Sequence, residues 1–318
     1  MKVAVREVNP ESDFVQLVPI LSEAWAEPIS VEQLQEWDAD RPEGQVRRRS
    51  VLVTETGEVI GYSDVHHEPW MGDGRFDLYV TIAKTYRQRG YGQQFYENAV
   101  QWAEAHQATR LDSGVLEQCT EGLAFAQKRG FVVDRHMFKA KIDLATFDGT
   151  PYDGLLESLK AEGIRFFSLA EAGDTQAARR KLYALNYACS MDDPSSTGVF
   201  IDFENFNRNF DMASWFRAEG QILASAMVDG EEKYVGLSAV GYFAHTNSMY
   251  NLFTGVDRGY RGRKLAQALK LLSIRFAKEY GADYILTHND SQNAPMLAVN
   301  RKLGYLPLPG VYRLVKQL

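Results

Sequence analysis

Arg87-Gln88-Arg89-Gly90-Tyr91-Gly92 is the first run whose spacing could do chemistry: Arg-x-x-Gly-x-Gly between an apolar segment and an amphipathic one. Glycines allow a tight turn, and the N–H groups of the first helical turn after it point outward without partners. With the positive end of the helix dipole they make a cradle for a phosphate, and Arg87 and Arg89 add fixed positive charge. The run lacks both the third glycine of a dinucleotide fingerprint and the Gly-Lys-Ser/Thr of a P-loop. Strand-to-helix geometry alone can also require such a turn. Arg261-Gly262-Arg263-Lys264-Leu265-Ala266 repeats the pattern with Lys264 at the first glycine position. A lysine there still offers its backbone N–H, and objects only if the position needs φ > 0.

Other reactive side chains are scattered. His66-His67-Glu68 ends a strand-like run, and adjacent histidines on a strand point to opposite faces, which does not suit one metal ion. No further Cys/His cluster has ligand spacing, so no metal site is expected. His245 and His288 stand alone in the sequence, His288 at the open end of a strand-like segment. Cys119 as a nucleophile would need a paired base, and nothing places one beside it. Trp70-Met71 and the aromatics of 203–210 read as core or as the lining of an acceptor pocket.

The elements that must position these residues come in two sets. Leu78 to Ile82 reads as a strand, Gln93 to His106 as a helix, Arg110 to Val115 as a strand and Glu121 to Arg129 as a helix, stopped by Gly130 before Phe131. The second set runs Asn251 to Val256, a helix to Tyr280, Tyr284 to Thr287, Ala294 to Lys302, and Gly304-Tyr305. Arg87 to Arg261, Gly130 to Gly304, Ile82 to Val256 and Ala108 to Ala282 all keep one offset of 174 residues. Register held through two helices and a strand marks two copies of one mixed α/β fold; the period is too long for a solenoid. Turn formers at Phe147-Asp148-Gly149-Thr150-Pro151 put the boundary between domains 1–148 and 149–318.

Arg-x-x-Gly-x-Gly after an apolar strand, with Gly130-Phe131 beyond it, and its second copy from Tyr260 through Asn289 to Tyr305, resemble the GNAT N-acetyltransferase superfamily in its tandem two-domain form. The resemblance implies α/β domains with a mixed sheet whose parallel central strands splay apart. It also implies a turn gripping the pyrophosphate of acetyl-coenzyme A, and transfer of the acetyl group to an amine by direct attack. The cofactor residues it implies are Val80, Ile82, Arg87, Gln88, Arg89, Gly90, Tyr91 and Gly92 in the first copy. In the second they are Thr254, Val256, Arg261, Gly262, Arg263, Lys264, Leu265, Ala266, Asn293 and Asn300. The family's arm-binding Asn is Asn293 in copy two and Cys119 in copy one; its usual acid Tyr falls on Asn300 and Ala126. The strand positions where a base often sits carry Leu78 and Phe76 in copy one, Leu252 and Tyr250 in copy two. Tyr250 is therefore the candidate proton handler, against the alternative of a packed sheet tyrosine.

Composition bounds the partners. The 318 residues are 45% hydrophobic and 24% charged, with a net charge of −7 from 35 basic and 42 acidic residues. An acidic balance disfavours nucleic acid or an anionic membrane as the main partner. No apolar run approaches a membrane span, and two cysteines with no signal-like start suit a reducing cytoplasm. The expected partner is a small-molecule amine or a peptide, and the chain is expected to be a monomer or homodimer. Two rival readings stay open: a coenzyme A-binding protein with one or both copies catalytically degenerate, and a protein-interaction module.

Overall fold

The computed structural model describes residues 2–39, 42–193, 196 and 198–318. Two compact units emerge, Met1–Arg135 with Val311–Leu318, and His136–Gly310.

In the first unit the chain runs β1 (Val3–Glu7), α1 (Pro10–Trp25), α2 (Val31–Ala39), β2 (Val46–Thr54), β3 (Val59–His67), β4 (Arg75–Ile82), α3 (Tyr91–Ala105), β5 (Arg110–Leu116) and α4 (Thr120–Gln127). Asn9 caps α1 by accepting from Glu11 N–H, with Pro10 opening the helix. The 3–4 spacing of Phe14, Leu17 and Leu21 turns one face of α1 inward. On α3, Phe95, Tyr96, Ala99 and Ala103 form the corresponding buried stripe.

The second unit contains most of β6 (Val132–Asp143), then α5 (Asp153–Ala161), β7 (Arg165–Ser168), α6 (Gln176–Met191), α7 (Phe203–Met212), β8 (Gln221–Val228), β9 (Glu231–Phe243), β10 (Ser248–Val256), α8 (Leu265–Tyr280), β11 (Tyr284–Asp290), α9 (Ala294–Lys302) and β12 (Leu306–Pro307). Its strands are ordered β6-β11-β10-β9-β8-β7, with β12 on β6. Helix α8 buries Leu265, Ala268, Leu269, Ile274 and Ala277 in the main core of this unit.

The last strand, β13 (Val311–Gln317), belongs to the first unit and pairs antiparallel with β5, Val311 opposite Leu116 and Gln317 opposite Arg110. The first sheet is thus β1-β2-β3-β4-β5-β13. Leu314, fully buried, joins the cluster of Phe76, Leu78 and Leu111. The boundary expected at 148/149 is therefore corrected to cuts after Arg135 and after Gly310. The reason is hydrogen bonding: β6 pairs with β11 from Met137–Asp290 to Asp143–Tyr284, so it belongs with the sheet that bonds it rather than with the helix that precedes it.

Candidate functional site

Each unit contains a parallel strand pair that closes at one end only. In the first, β4 and β5 are in register from Arg75–Arg110 to Asp77–Asp112, after which β4 runs on to Ile82 without β5, paired only with β3. In the second, β10 and β11 pair from Ser248–Tyr284 to Asn251–Thr287, and β10 runs on to Val256 without β11, paired only with β9. The repeat is not perfect here. A β-bulge between Asn251 and Phe253 adds one residue to β10 relative to β9, and no such shift interrupts β4 against β3.

The free edges carry donors. Ala83 N–H bonds Ile60 O at 2.9 Å, and Asp257 N–H bonds Val235 O at 3.0 Å. Backbone groups alternate between strand edges, so the N–H groups of Val80 and Ile82 face β5 and those of Thr254 and Val256 face β11. These are the strand residues singled out from the sequence.

Both cradles have the same left-handed geometry built from different residues. Gln88 has φ 60° and Gly90 φ 84°; their equivalents Gly262 and Lys264 have φ 80° and 63°. Each loop thus holds one glycine and one strained non-glycine, with the places exchanged. Lys264 does occupy a φ > 0 position and caps α8, its carbonyl accepting from Ala268 N–H at 3.1 Å. Among the described residues, the N–H groups of Gln88, Arg89, Gly90, Gly262, Arg263 and Lys264 donate no hydrogen bond. A Cβ at Gly90 or Gly262 would meet no atom within 4 Å, so the space before both cradles is open. Tyr91, Gly92, Leu265 and Ala266 form the first helical turns; the Leu265 side chain lies in the core, leaving only its backbone at the cradle. A cavity of about 550 Å³ adjoins the second cradle, walled by α5 and by Gly262, Arg263, Lys264 and Gln267.

The motif arginines do not extend into that space. Arg87 Nε donates to Ile82 O at 2.8 Å and Arg261 Nε to Val256 O at 3.0 Å, stapling each loop to the end of its strand. Arg261 also pairs with Asp192 at 2.7 Å and Arg87 with Glu23 at 3.1 Å. Arg89 and Arg263 lie over the equivalent rings of Tyr86 and Tyr260.

Tyr250 stacks on His288, ring centroids 6.1 Å apart, at the second fork. Burial raises the Tyr250 pKa, so its hydroxyl stays protonated near neutral pH. Partial desolvation, then the charge of Lys270, hold the His288 pKa below its usual value, so its imidazole is neutral near pH 7. Asn293 caps α9, accepting from Met296 N–H at 3.3 Å. Asn300 is buried, its amide donating to Asn289 Oδ1 at 2.7 Å while its own Oδ1 lacks a donor. It faces the interior rather than the open edge.

The first fork holds a cluster that motif reading passes over. Asp64 receives Arg47 (2.5 Å) and Tyr62 (3.1 Å) and contacts His66 Nδ1 at 3.2 Å. His66 Nε2 lies 3.8 Å from Asp77 and 3.9 Å from Glu68. Burial opposes charge on His66, but the bond and charge of Asp64 and the charge of Asp77 outweigh it and raise its pKa. Desolvation likewise opposes charge on Asp64, yet His66 and Arg47 bring its pKa to about 2. The available signal was Tyr62-x-Asp64-x-His66, three polar residues at period two in a largely buried strand, with Glu68 next in the alternation just past its end.

Two forked parallel pairs, each followed by a turn and a helix N-terminus with unpartnered N–H groups, define one α/β class that both units share. The chain belongs to the acetyltransferase (GNAT) family, whose sequence profile matches residues 14–131 and 181–305. It is 23% identical over 257 residues to a mycothiol acetyltransferase from Stackebrandtia nassauensis, covering 78% of this chain and 76% of that one. Two solved structures share the fold over 99% of this chain. One is a GCN5-related N-acetyltransferase from Sphaerobacter thermophilus (TM-score 0.65, 18% identity, 95% of that chain covered). The other is a tandem GNAT protein from the clavulanic acid biosynthesis pathway (TM-score 0.63, 17% identity, 98% covered). The tandem fold expected from the repeat is borne out. Among the described residues no helix is long and apolar enough to cross a membrane.

Proposed function

We propose that this acetyltransferase takes its acetyl group from acetyl-coenzyme A and transfers it to the amine of a small molecule at the fork of the second unit. One observation carries the assignment: β10 runs past its last rung with β11 to the cradle at the start of α8, and Tyr250 and His288 stack next to that rung. Acetyl-coenzyme A, when bound, supplies an acetyl thioester ready for attack. The cradle fits its phosphates, since unpartnered N–H groups of 262–264 face open space and the cavity beside them has room for a nucleotide.

The chain's own residues then have separable tasks. Arg261 fixes the cradle to β10 through the Val256 carbonyl. The N–H groups of Thr254 and Val256 are preorganised donors, the arrangement that stabilises charge developing on an oxygen. His288, neutral at Nδ1 or Nε2, accepts the proton of the attacking amine; Tyr250 orients the imidazole by stacking and keeps its own proton. Asn293 presents α9 at the mouth of the fork. The first unit holds coenzyme A at residues 87–92 in a supporting role. A small acceptor rather than a protein is in keeping with the relative named as a mycothiol acetyltransferase.

A second reading places the amine in the first unit. Asp77 Oδ1 and Glu68 Oε2 are buried without hydrogen-bond donors, and an ammonium would satisfy them. Incubation of the chain with acetyl-coenzyme A and a panel of small primary amines, following free thiol, tests the activity itself. Saturable thiol release with at least one amine is expected. Coenzyme A binding by calorimetry without any thiol release would leave a cofactor-binding protein only.

A further inference from the structure

Lys270 lies midway along α8 in Leu269-Lys270-Leu271 and is 1% exposed. Among the described residues no carboxylate pairs with it. Its ammonium donates to Asn251 Oδ1 and, at 3.3 Å, to Thr287 Oγ1, and sits 5.1 Å from the centre of the Tyr305 ring. Asn251 and Thr287 are the last residues in register before β10 and β11 part. Asn251 is itself held by Ser238 (2.8 Å), Ala239 O (3.2 Å) and Thr254 (3.0 Å). Burying a lysine without a counter-ion is expensive, and an apolar side chain at this place in the α8 stripe would avoid the cost.

We propose that Lys270 is a positioning residue of the transfer site, clamping the final rung of the β10–β11 pair and so setting where the strands open. The proposal rests on the reading that the second fork is where transfer occurs. In the first unit the same place is taken by Tyr96, whose hydroxyl accepts from Lys316 at 2.9 Å, and among the described residues no lysine occupies that position. The clamp works on both faces of the pair. Asn251 and Thr287 meet Lys270 on the α8 side, while Tyr250 and His288 stack on the other. The charges and titratable groups around His288 are Lys270 from α8, Tyr250 from β10, Lys139 opposite it on β6, and Asp193 beyond α6. Lys270 lowers the proton affinity of His288 and Asp193 raises it. A change at residue 270 is therefore felt at the imidazole that takes up the amine's proton.

The test needs neither acceptor nor turnover. In Lys270→Met, the His288 ring resonance, assigned by its loss in His288→Gln, should titrate higher than in the unaltered chain by at least about 0.5 pH unit. Amide exchange at His288, whose N–H turns towards β10 at the last rung, should quicken by at least about tenfold as the rung loosens. Thr287→Val, which keeps the charge and removes one acceptor, should quicken exchange while leaving the His288 midpoint near its original place. A folded Lys270→Met with unchanged midpoint and exchange overturns the proposal. Should Lys270→Met not fold, unchanged exchange in Thr287→Val overturns it instead. Loss of thiol release on changing only the first unit would refute the underlying reading and would leave these two measurements unaffected.

Discussion

At residue 264 a side chain sits where the backbone asks for glycine. Lys264 holds φ 63°, while its counterpart in the other cradle is Gly90. Lys264→Gly should raise stability by about 0.5–1 kcal/mol in urea unfolding, because the left-handed strain is relieved. The same variant should bind coenzyme A more weakly at the second cradle, since it loses an ammonium beside the phosphates. Tighter binding on calorimetry would mean the lysine does not face the cofactor. Lys270 gives a pH signature. Desolvation lowers its pKa from 10.5 to about 7. Between those values the unfolded chain binds a proton that the folded chain does not, so stability rises with pH through that window; below about pH 7 the full cost applies. Urea midpoints should therefore climb from pH 7 towards pH 9.5 in the unaltered chain and stay nearly flat over this window in Lys270→Met. Lys270→Met should also be the more stable at pH 7, by up to a few kcal/mol. A flat profile in both would show that the lysine is not desolvated.

Among the elements, β13 tests the architecture most sharply. It enters the first unit from the far end of the chain and places Leu314, with no exposed surface, against Phe76 and Leu111. Leu314→Ala should cost about 2–5 kcal/mol, as truncation in a packed core does, despite being the fifth residue from the end of the sequence. A loss below about 0.5 kcal/mol would mark the strand as peripheral. The repeat, the strand–turn–helix cradles, and helices α3, α4, α8 and α9 were legible because periodicity and glycine placement are local signals. The pairing of β6 and β13 was not, because strand partners are chosen by tertiary contacts, and Val311-Tyr312-Arg313-Leu314-Val315 alternates the same way whichever sheet receives it. Helices α5 and α7 were missed, as short segments beside turn formers. At the site, the strand-to-helix turns at 87–92 and 261–266 were readable from the spacing of arginine and glycine. Lys270 was not, since a lysine between leucines reads as a solvated helix face, although it shares the i, i+3, i+4, i+7 stripe of Ser273, Ile274 and Ala277. His288 looked solitary because Tyr250, its neighbour in space, lies on a different strand.

For the whole molecule, two units of one fold present two cradles of the same geometry. The exchange of strands bears on how they can be separated. A fragment ending at residue 148 lacks β13 and carries β6 without β11, so it should expose two unpaired strands and aggregate or melt without cooperativity. A soluble fragment 1–148 with a cooperative melt near that of the full chain would show that the strands can be served locally. Division of labour is best tested inside the intact chain, where Gly90 and Lys264 occupy equivalent places in the two cradles. Gly90→Asp and Lys264→Asp put the same carboxylate before each set of phosphate-binding N–H groups. The decisive measurement is the rate of thiol release from acetyl-coenzyme A with an accepted amine in these two variants. Transfer at the second fork predicts a loss of about a hundredfold or more in Lys264→Asp and a rate within about threefold of the unaltered chain in Gly90→Asp. The opposite pattern, with Gly90→Asp inactive and Lys264→Asp active, would contradict the account and move the chemistry to the Asp64–His66–Asp77 cluster of the first unit.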